Sequence, residues 1–242
     1  MSAPPPVPAA AARAAWSRLL SLSLPVAMGY VPLGAVFGFL LVQAGAAWWL
    51  APLASVLVFA GAAQFMVVPM LAAGLPLASI AVATLVINLR HMFYGLSLLH
   101  RLPTAWWARA YLIWALTDEN YSVISALPAQ APASQVLGIA ALNHFWWVLG
   151  TVMGAVLGAQ ISTAWTGVDF ALAALFAVLA VEQWRASGTL VPIAVAALAY
   201  GVALLVLPAQ ALLVAIALTA VAGIVLGQRR LQRQAARGAG HD

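Results

Sequence analysis

The sequence predicts an all-α fold, a polytopic transmembrane helix bundle of seven or eight segments, from three observations. Of 242 residues, 65% are hydrophobic and only 6% charged, against roughly 25% charged residues in a soluble domain. The mean hydropathy is +1.03. Apolar runs long enough to cross a hydrocarbon core of about 30 Å recur along the chain. The ten positive charges are all arginine and cysteine is absent, which excludes a disulfide framework and a thiolate-ligated metal site. The net charge of +5 points to a membrane surface rather than nucleic acid, because Arg229, Arg230, Arg233 and Arg237 crowd one end of the chain.

Residues 1–21 are expected to form a disordered and then interfacial segment. Pro4-Pro5-Pro6 and the alanines up to Ala15 offer no apolar periodicity to pack, while Trp16 and Arg18 suit a membrane interface. The proline run also argues against a signal peptide. Residues 22–227 form the transmembrane domain, with windows of about 20 residues placing segments at 22–42, 49–72, 76–99, 105–127, 135–158, 168–184, 188–206 and 208–227. Residues 228–242 form an Arg-rich tail. The fourth segment holds Arg109, Asp118 and Glu119, so full span, half-helix and re-entrant element all stay open.

Arginine placement orients the chain. If all eight segments span, Arg13, Arg18, Arg185 and the four tail arginines lie inside, and Arg101 and Arg109 outside. If the fourth does not span, Arg101 and Arg109 replace Arg13 and Arg18 on the inner side. Both arrangements put the C-terminus in the cytoplasm. A weak internal repeat bears on the choice: Leu33-Gly34-Ala35-Val36-Phe37-Gly38 resembles Leu149-Gly150-Thr151-Val152-Met153-Gly154, and Phe59–Phe65 resembles Phe170–Phe176. Two repeated halves, common among secondary transporters, and chance similarity in an Ala-rich chain are the competing readings.

Gly34 and Gly38, like Gly150, Gly154 and Gly158, are spaced four apart. Such spacing lets another backbone approach closely. Asn143 and Trp147 share that glycine face and are candidate cavity-lining residues. In Ala60-Gly61-Ala62-Ala63-Gln64-Phe65, small residues precede an amide at mid-span. A helix break near Gly61 would expose backbone N–H groups to a carboxylate; the bland alternative is a glycine contact with Gln64 bonded to a neighbouring helix.

The third segment carries Asn88, Arg90, His91 and Tyr94 within a run otherwise apolar enough for lipid. Groups so costly to desolvate persist there only when paired, solvated or used. At 100° per residue, Thr84, Asn88, His91 and Gly95 form one side, and Arg90, Tyr94, Ser97 and Arg101 another, one toward a polar cavity and the other toward a partner element. In Thr117-Asp118-Glu119-Asn120-Tyr121 the two carboxylates diverge, so one is expected to pair with Arg90 or Arg109 while the other carries a proton or binds an amine. A charge network that only fixes helix positions is the alternative. No metal-ligand spacing accompanies His91 or His144.

Taken in order, Phe59–Phe65, Asn88-Leu-Arg-His91 with Tyr94-Gly95 and Ser97-Leu98, Thr117-Asp118-Glu119, Trp147 to Gly150-Thr151, and Gly167–Ala171 resemble the AzlC family, the YgaZ-type large subunits of bacterial branched-chain amino acid exporters. The resemblance runs from Pro25 to Phe176. It implies export of valine, leucine, isoleucine or similar amino acids across the bacterial plasma (inner) membrane by a multi-pass protein, with a small hydrophobic AzlD-type subunit as partner. No cofactor, metal, nucleic acid or catalytic residue is expected. Gly61, Gln64, Asn88, Arg90, Asn143 and Trp147 are the candidate substrate-binding residues; Asp118, Glu119 and His91 are candidates for proton coupling. The competing functions are a transporter or channel for another small polar or zwitterionic solute, and, further off, an intramembrane enzyme, for which no nucleophile motif exists.

Overall fold

The computed structural model describes residues 9–161 and 188–238, together with Ala177, Val181 and Trp184. Among them every regular element is helical: α1 (Ala9–Gln43), α2 (Leu50–Leu57), α3 (Gly61–Ala72), α4 (Leu77–Ser97), α5 (Trp106–Trp114), α6 (Asp118–Ser125), α7 (Ala133–Gln160), α8 (Val191–Val206) and α9 (Ala211–Gly238). Helix α1 starts inside the stretch expected to be irregular, and α9 continues through the arginine-rich end. The sixth expected segment, 168–184, and the second copy of the Phe59–Phe65 repeat lie outside the described residues.

The expected seven or eight spans are met only in part. Among the described residues, three helices are long and apolar enough to cross a membrane: Arg13–Gln43 within α1, Leu77–Ser97 and Ala133–Gln160. The reason is interruption. Segment 49–72 stops at Leu57 and restarts at Gly61, and segment 105–127 stops at Trp114 and restarts at Asp118. Neither presents a continuous span, and α8 is only 16 residues long.

The chain divides into two compact units. The first holds α1 to α3, α4 from Ile87 onward and α5 to α7; the second holds the start of α4 with α8 and α9. In the second unit Ala203, Ala211 and Ala215 are buried together with Val214 packed on them, small side chains that let α8 and α9 approach.

The first unit is built on α1 against α7. Where lipid surrounds the helices, apolar side chains gain little by leaving it, so close backbone packing must hold them together. The glycines supply it. A Cβ on Gly34 would stand 2.7 Å from the carbonyl of Trp147, and Cβ atoms on Gly38, Gly150 and Gly154 would run into the carbonyls of Thr151, Val31 and Ala35. Phe37, Leu40, Val136 and Ile139 fill the seam around them. Helix α1 then closes on Gly45, whose φ of +93° lets Ala46 N–H return to Leu41 C=O.

Candidate functional site

Residues Asn143, Trp147 and Thr151 recur every four positions and so form one stripe down α7. All three are buried, and each ties α7 to one of the two interruptions.

The interruption between α2 and α3 is held by a closed ring of hydrogen bonds. Trp147 Nε1–H donates to Gln64 Oε1 (2.9 Å), and Gln64 Nε2–H donates to Ser55 Oγ (3.0 Å). Thr151 donates to the Trp147 carbonyl (2.9 Å). Its only hydrogen is thereby used, so Ser55 donates across the 2.8 Å contact to Thr151 Oγ1. Every polar atom of the ring has a partner, which makes it rigid. The carbonyls freed at the end of α2 are also met: Trp114 Nε1–H donates to Leu57 O (3.1 Å), and His144 Nε2 lies 3.3 Å from Ser55 O. A carbonyl only accepts, which assigns the proton to Nε2 and leaves Nδ1 to accept from Tyr111 Oη at 3.4 Å.

The other end of this interruption is open. Ala60 offers no side-chain cap to α3, and the first intrahelical bond is Gln64 N–H to Ala60 C=O. The N–H groups of Gly61, Ala62 and Ala63 precede it, at the positive end of the helix dipole. Phe59 holds a φ of +39° there, a left-handed conformation rare for a bulky residue and typical of strained functional backbone. Glycine at 61 fits closely under its neighbour, since a Cβ would meet the Trp147 ring at 3.1 Å and the ring would have to give by a few tenths of an ångström.

The interruption between α5 and α6 is sealed at both ends. Thr117 Oγ1 accepts from Asn120 N–H (3.2 Å) as the N-cap of α6, and Asp118 and Glu119 add negative charge to the first turn. Asn120 Nδ2–H donates to Ala115 O (2.6 Å) at the end of α5. Asn143 Nδ2–H donates to Asn120 Oδ1 (2.7 Å), Ser23 Oγ–H to Asn143 Oδ1, and Trp146 Nε1–H to Ser23 Oγ (3.0 Å).

Tyr30 stands between the two interruptions. Its ring packs edge-on against Trp147 and Phe59, with centroids 5.3 and 6.1 Å away. Its hydroxyl lies 2.7 Å from both Thr117 Oγ1 and Glu119 Oε2. Phe59 in turn contacts Trp114 (5.8 Å) and His144 (4.5 Å), so aromatic rings surround the open start of α3.

On the far side of α6, Arg90 Nη1 meets Asp118 Oδ2 at 2.8 Å, both side chains about two-fifths exposed. Tyr94 stacks on Tyr121 at 4.5 Å, and Arg101 donates to the carbonyls of Leu127 (2.8 Å) and Pro128 (3.2 Å). The Arg90 side of α4 therefore meets α6 as its partner element. Arg109 is not the partner of the acidic pair; it donates to Pro103 O (3.2 Å). Asn88 Oδ1, Arg90 Nε and Asp118 Oδ1 are buried atoms without a hydrogen-bond partner among the described residues.

The candidate residues thus fall into four groups. Gly61, Gln64 and Trp147 meet at the α2–α3 interruption; Asn143 is engaged with Asn120 and Ser23 instead; Asn88, Arg90 and His91 sit on α4, with Arg90 joined to Asp118 and His91 beside Tyr94 (5.9 Å). Glu119 is separate from that pair and belongs with Tyr30. Sequence reasoning passed over Tyr30, Ser55, Phe59, Thr117 as a cap, Asn120 and Thr151. Asn120 beside the acidic pair was the one readable signal; a lone Tyr, Ser or Thr in an apolar helix carries none. Among the described residues no group of three His, Asp or Glu side chains is placed to hold a metal ion.

The family model described as AzlC protein matches residues 25–161, which takes in both interruptions and all of α7. A membrane protein of Helicobacter pylori is 32% identical over 67% of this chain and 73% of its own length. The branched-chain amino acid transport protein AzlC of Bacillus subtilis is 30% identical over 71% of this chain and 68% of its own, and the inner membrane protein YgaZ of Escherichia coli is 32% identical over 62% and 64%. No solved structure matches the chain. A match that spans the residues building both interruptions, in a chain of apolar helices, places this protein in the AzlC family of membrane proteins.

Proposed function

We propose that the protein is a secondary transporter that exports branched-chain or related hydrophobic amino acids across the bacterial inner membrane, driven by protons and assisted by a small AzlD-type subunit. In this reading it is no enzyme, and its seven or eight segments include the two interrupted ones. The observation that carries the proposal is the pairing of unlike helix starts. The uncapped start of α3 offers N–H donors and positive potential, the start of α6 offers two carboxylates, and the Tyr30 side chain touches the surroundings of both. A carboxylate suits the first and an ammonium the second, and a zwitterion carries both. The rings of Phe59, Trp114 and Trp147 supply an apolar wall for a branched side chain.

The substrate carboxylate binds the N–H groups around Gly61, with Trp147 shaping the wall. Gln64 and Asn143 act through the groups they hold in place, namely Trp147 and Asn120. Asp118 and Glu119 take the amine and the coupling proton, with Asn88, Arg90 and His91 setting the local charge. The name of the Bacillus subtilis relative supports the substrate class. The test is transport of labelled leucine in right-side-out and inside-out vesicles, with and without the small subunit. Leucine moving only out of the cytoplasmic compartment is the expected result; a solute such as glycine moving while leucine does not would favour a general zwitterion transporter instead.

A further inference from the structure

Tyr30 is 5% exposed and sits in α1 between Pro25 and Pro32. Each proline lacks an N–H, so the carbonyls of Ser21 and Met28 lose their helical donors and α1 is least stiff around this residue. The hydrogens at its tip can be assigned. Ionised Glu119 only accepts, so the Tyr30 proton goes to Glu119 Oε2. Thr117 then donates to the Tyr30 oxygen, while Thr117 Oγ1 accepts from Asn120 N–H. The run from Asn120 through Thr117 and Tyr30 to Glu119 has one direction, set by the charge at its end. Glu119 itself is exposed on the surface of the helices.

We infer that Tyr30 is a positioning residue that couples the charge state of Glu119 to the backbone interruption at Phe59–Gly61. Protonation of Glu119 removes the charge assistance from its bond with Tyr30. If the new proton turns toward Tyr30, the tyrosine must donate to Thr117, whose own hydrogen is then left unpaired in a buried position. In both cases the link between α1 and α6 weakens. The same ring packs on Phe59 and Trp147, so its release frees the strained backbone that opens onto α3. Among the described residues, the other titratable or charged groups on the elements packed here are Asp118 and Tyr121 on its own helix and, on the far side of α6, Arg90, His91 and Tyr94 of α4; Tyr111 of α5 faces His144 of α7, which lies against Phe59.

The place of this coupling in a transport cycle rests on the function proposed above, but its test does not need transport. The chain has no cysteine, so Ala62→Cys reports access to the start of α3 through its rate of maleimide labelling in proteoliposomes. The exposed Ala73→Cys, measured at each pH, cancels the intrinsic pH dependence of thiol chemistry. The Ala62/Ala73 rate ratio should rise as pH falls in the Tyr30 protein. Tyr30→Phe, which keeps the ring, should hold the ratio high at every pH, on the order of tenfold above the parent at neutral pH. Glu119→Gln should also flatten the profile, which separates Glu119 from His91 as the titrating group.

An unchanged profile in Tyr30→Phe overturns the inference. If that variant does not accumulate, a pH dependence that persists in Glu119→Gln overturns it equally. Leucine counterflow in the same proteoliposomes separates the two ideas. Tyr30-dependent labelling without leucine movement retires the substrate and keeps the coupling, whereas leucine movement with Tyr30-independent labelling does the reverse.

Discussion

The two interrupted segments solve one problem in opposite ways. Each exposes backbone donors and acceptors that lipid cannot satisfy. At the α5–α6 interruption the residues on either side close it: Asn120 meets Ala115 O, Thr117 meets Asn120 N–H, and carboxylates cover the helix start. At the α2–α3 interruption, side chains from α5 and α7 meet the ends of α2, while the start of α3 has no cap. One helix start is capped by Thr117 and lined with carboxylates, and the other has no side-chain cap. The difference separates a negatively charged edge from a start whose backbone donors no side chain meets.

The largest effect should come from making the second interruption resemble the first. Ala60→Asp would cap α3 with its own carboxylate and occupy the place proposed for the substrate's. Leucine transport should fall more than about tenfold, at least 1.4 kcal/mol in binding terms, with normal accumulation in the membrane. Retained transport would move the carboxylate site away from Gly61.

Breaking the charged edge comes next. Arg90→Gln removes the partner of Asp118 and should abolish export while leaving the protein in the membrane. Wild-type export by this variant would reduce Arg90 to a structural part. Glu119→Gln or Asp118→Asn should lose net transport against a gradient yet keep leucine counterflow, in which no net proton moves. Loss of both activities in both variants would assign the pair to substrate binding; unchanged pH dependence in both would remove them from the mechanism.

Smaller effects should appear in stability. Asn143→Ala strands Asn120 Oδ1 and frees Ser23, at a cost of about 1–3 kcal/mol for a buried unpaired group, visible as a lower melting temperature in detergent. Thr117→Ser keeps the capping oxygen and should change stability by only about a few tenths of a kcal/mol. A large loss there would show that the methyl group, not the cap, holds α6.

How much of this was readable varies by residue. The interruption near Gly61 was legible because small residues precede an amide at mid-span, and so was a pairing of one carboxylate with Arg90 or Arg109, because an unpaired charge in lipid is costly; which carboxylate and which arginine was not. The two glycine stripes were legible as packing faces, though not as each other's partners. The ring through Ser55, Gln64, Trp147 and Thr151 was not, since its two halves, Ser55 with Gln64 and Trp147 with Thr151, are joined by contacts 83 and 96 positions apart and each residue alone resembles an ordinary helix residue. For 105–127, where full span, half-helix and re-entrant element were all open, the structure shows two short helices, and 49–72 is interrupted just before Gly61. Hydropathy averages over a window and cannot register a three-residue interruption whose backbone groups are met by side chains.

What the sequence by itself determined is the medium and the cast: an apolar, helical membrane protein with a few polar groups that must be paired. Composition fixes these because transfer of a residue into lipid depends mainly on its own chemistry. Which groups pair was decided only by tertiary structure. Tyr30 and Glu119 are 89 positions apart, and what brings them together is the packing of α1 on α7, with α6 tied to α7 through Asn120 and Asn143. Hydrogen bonds act over about 3 Å, so their partners depend on where the helices are held.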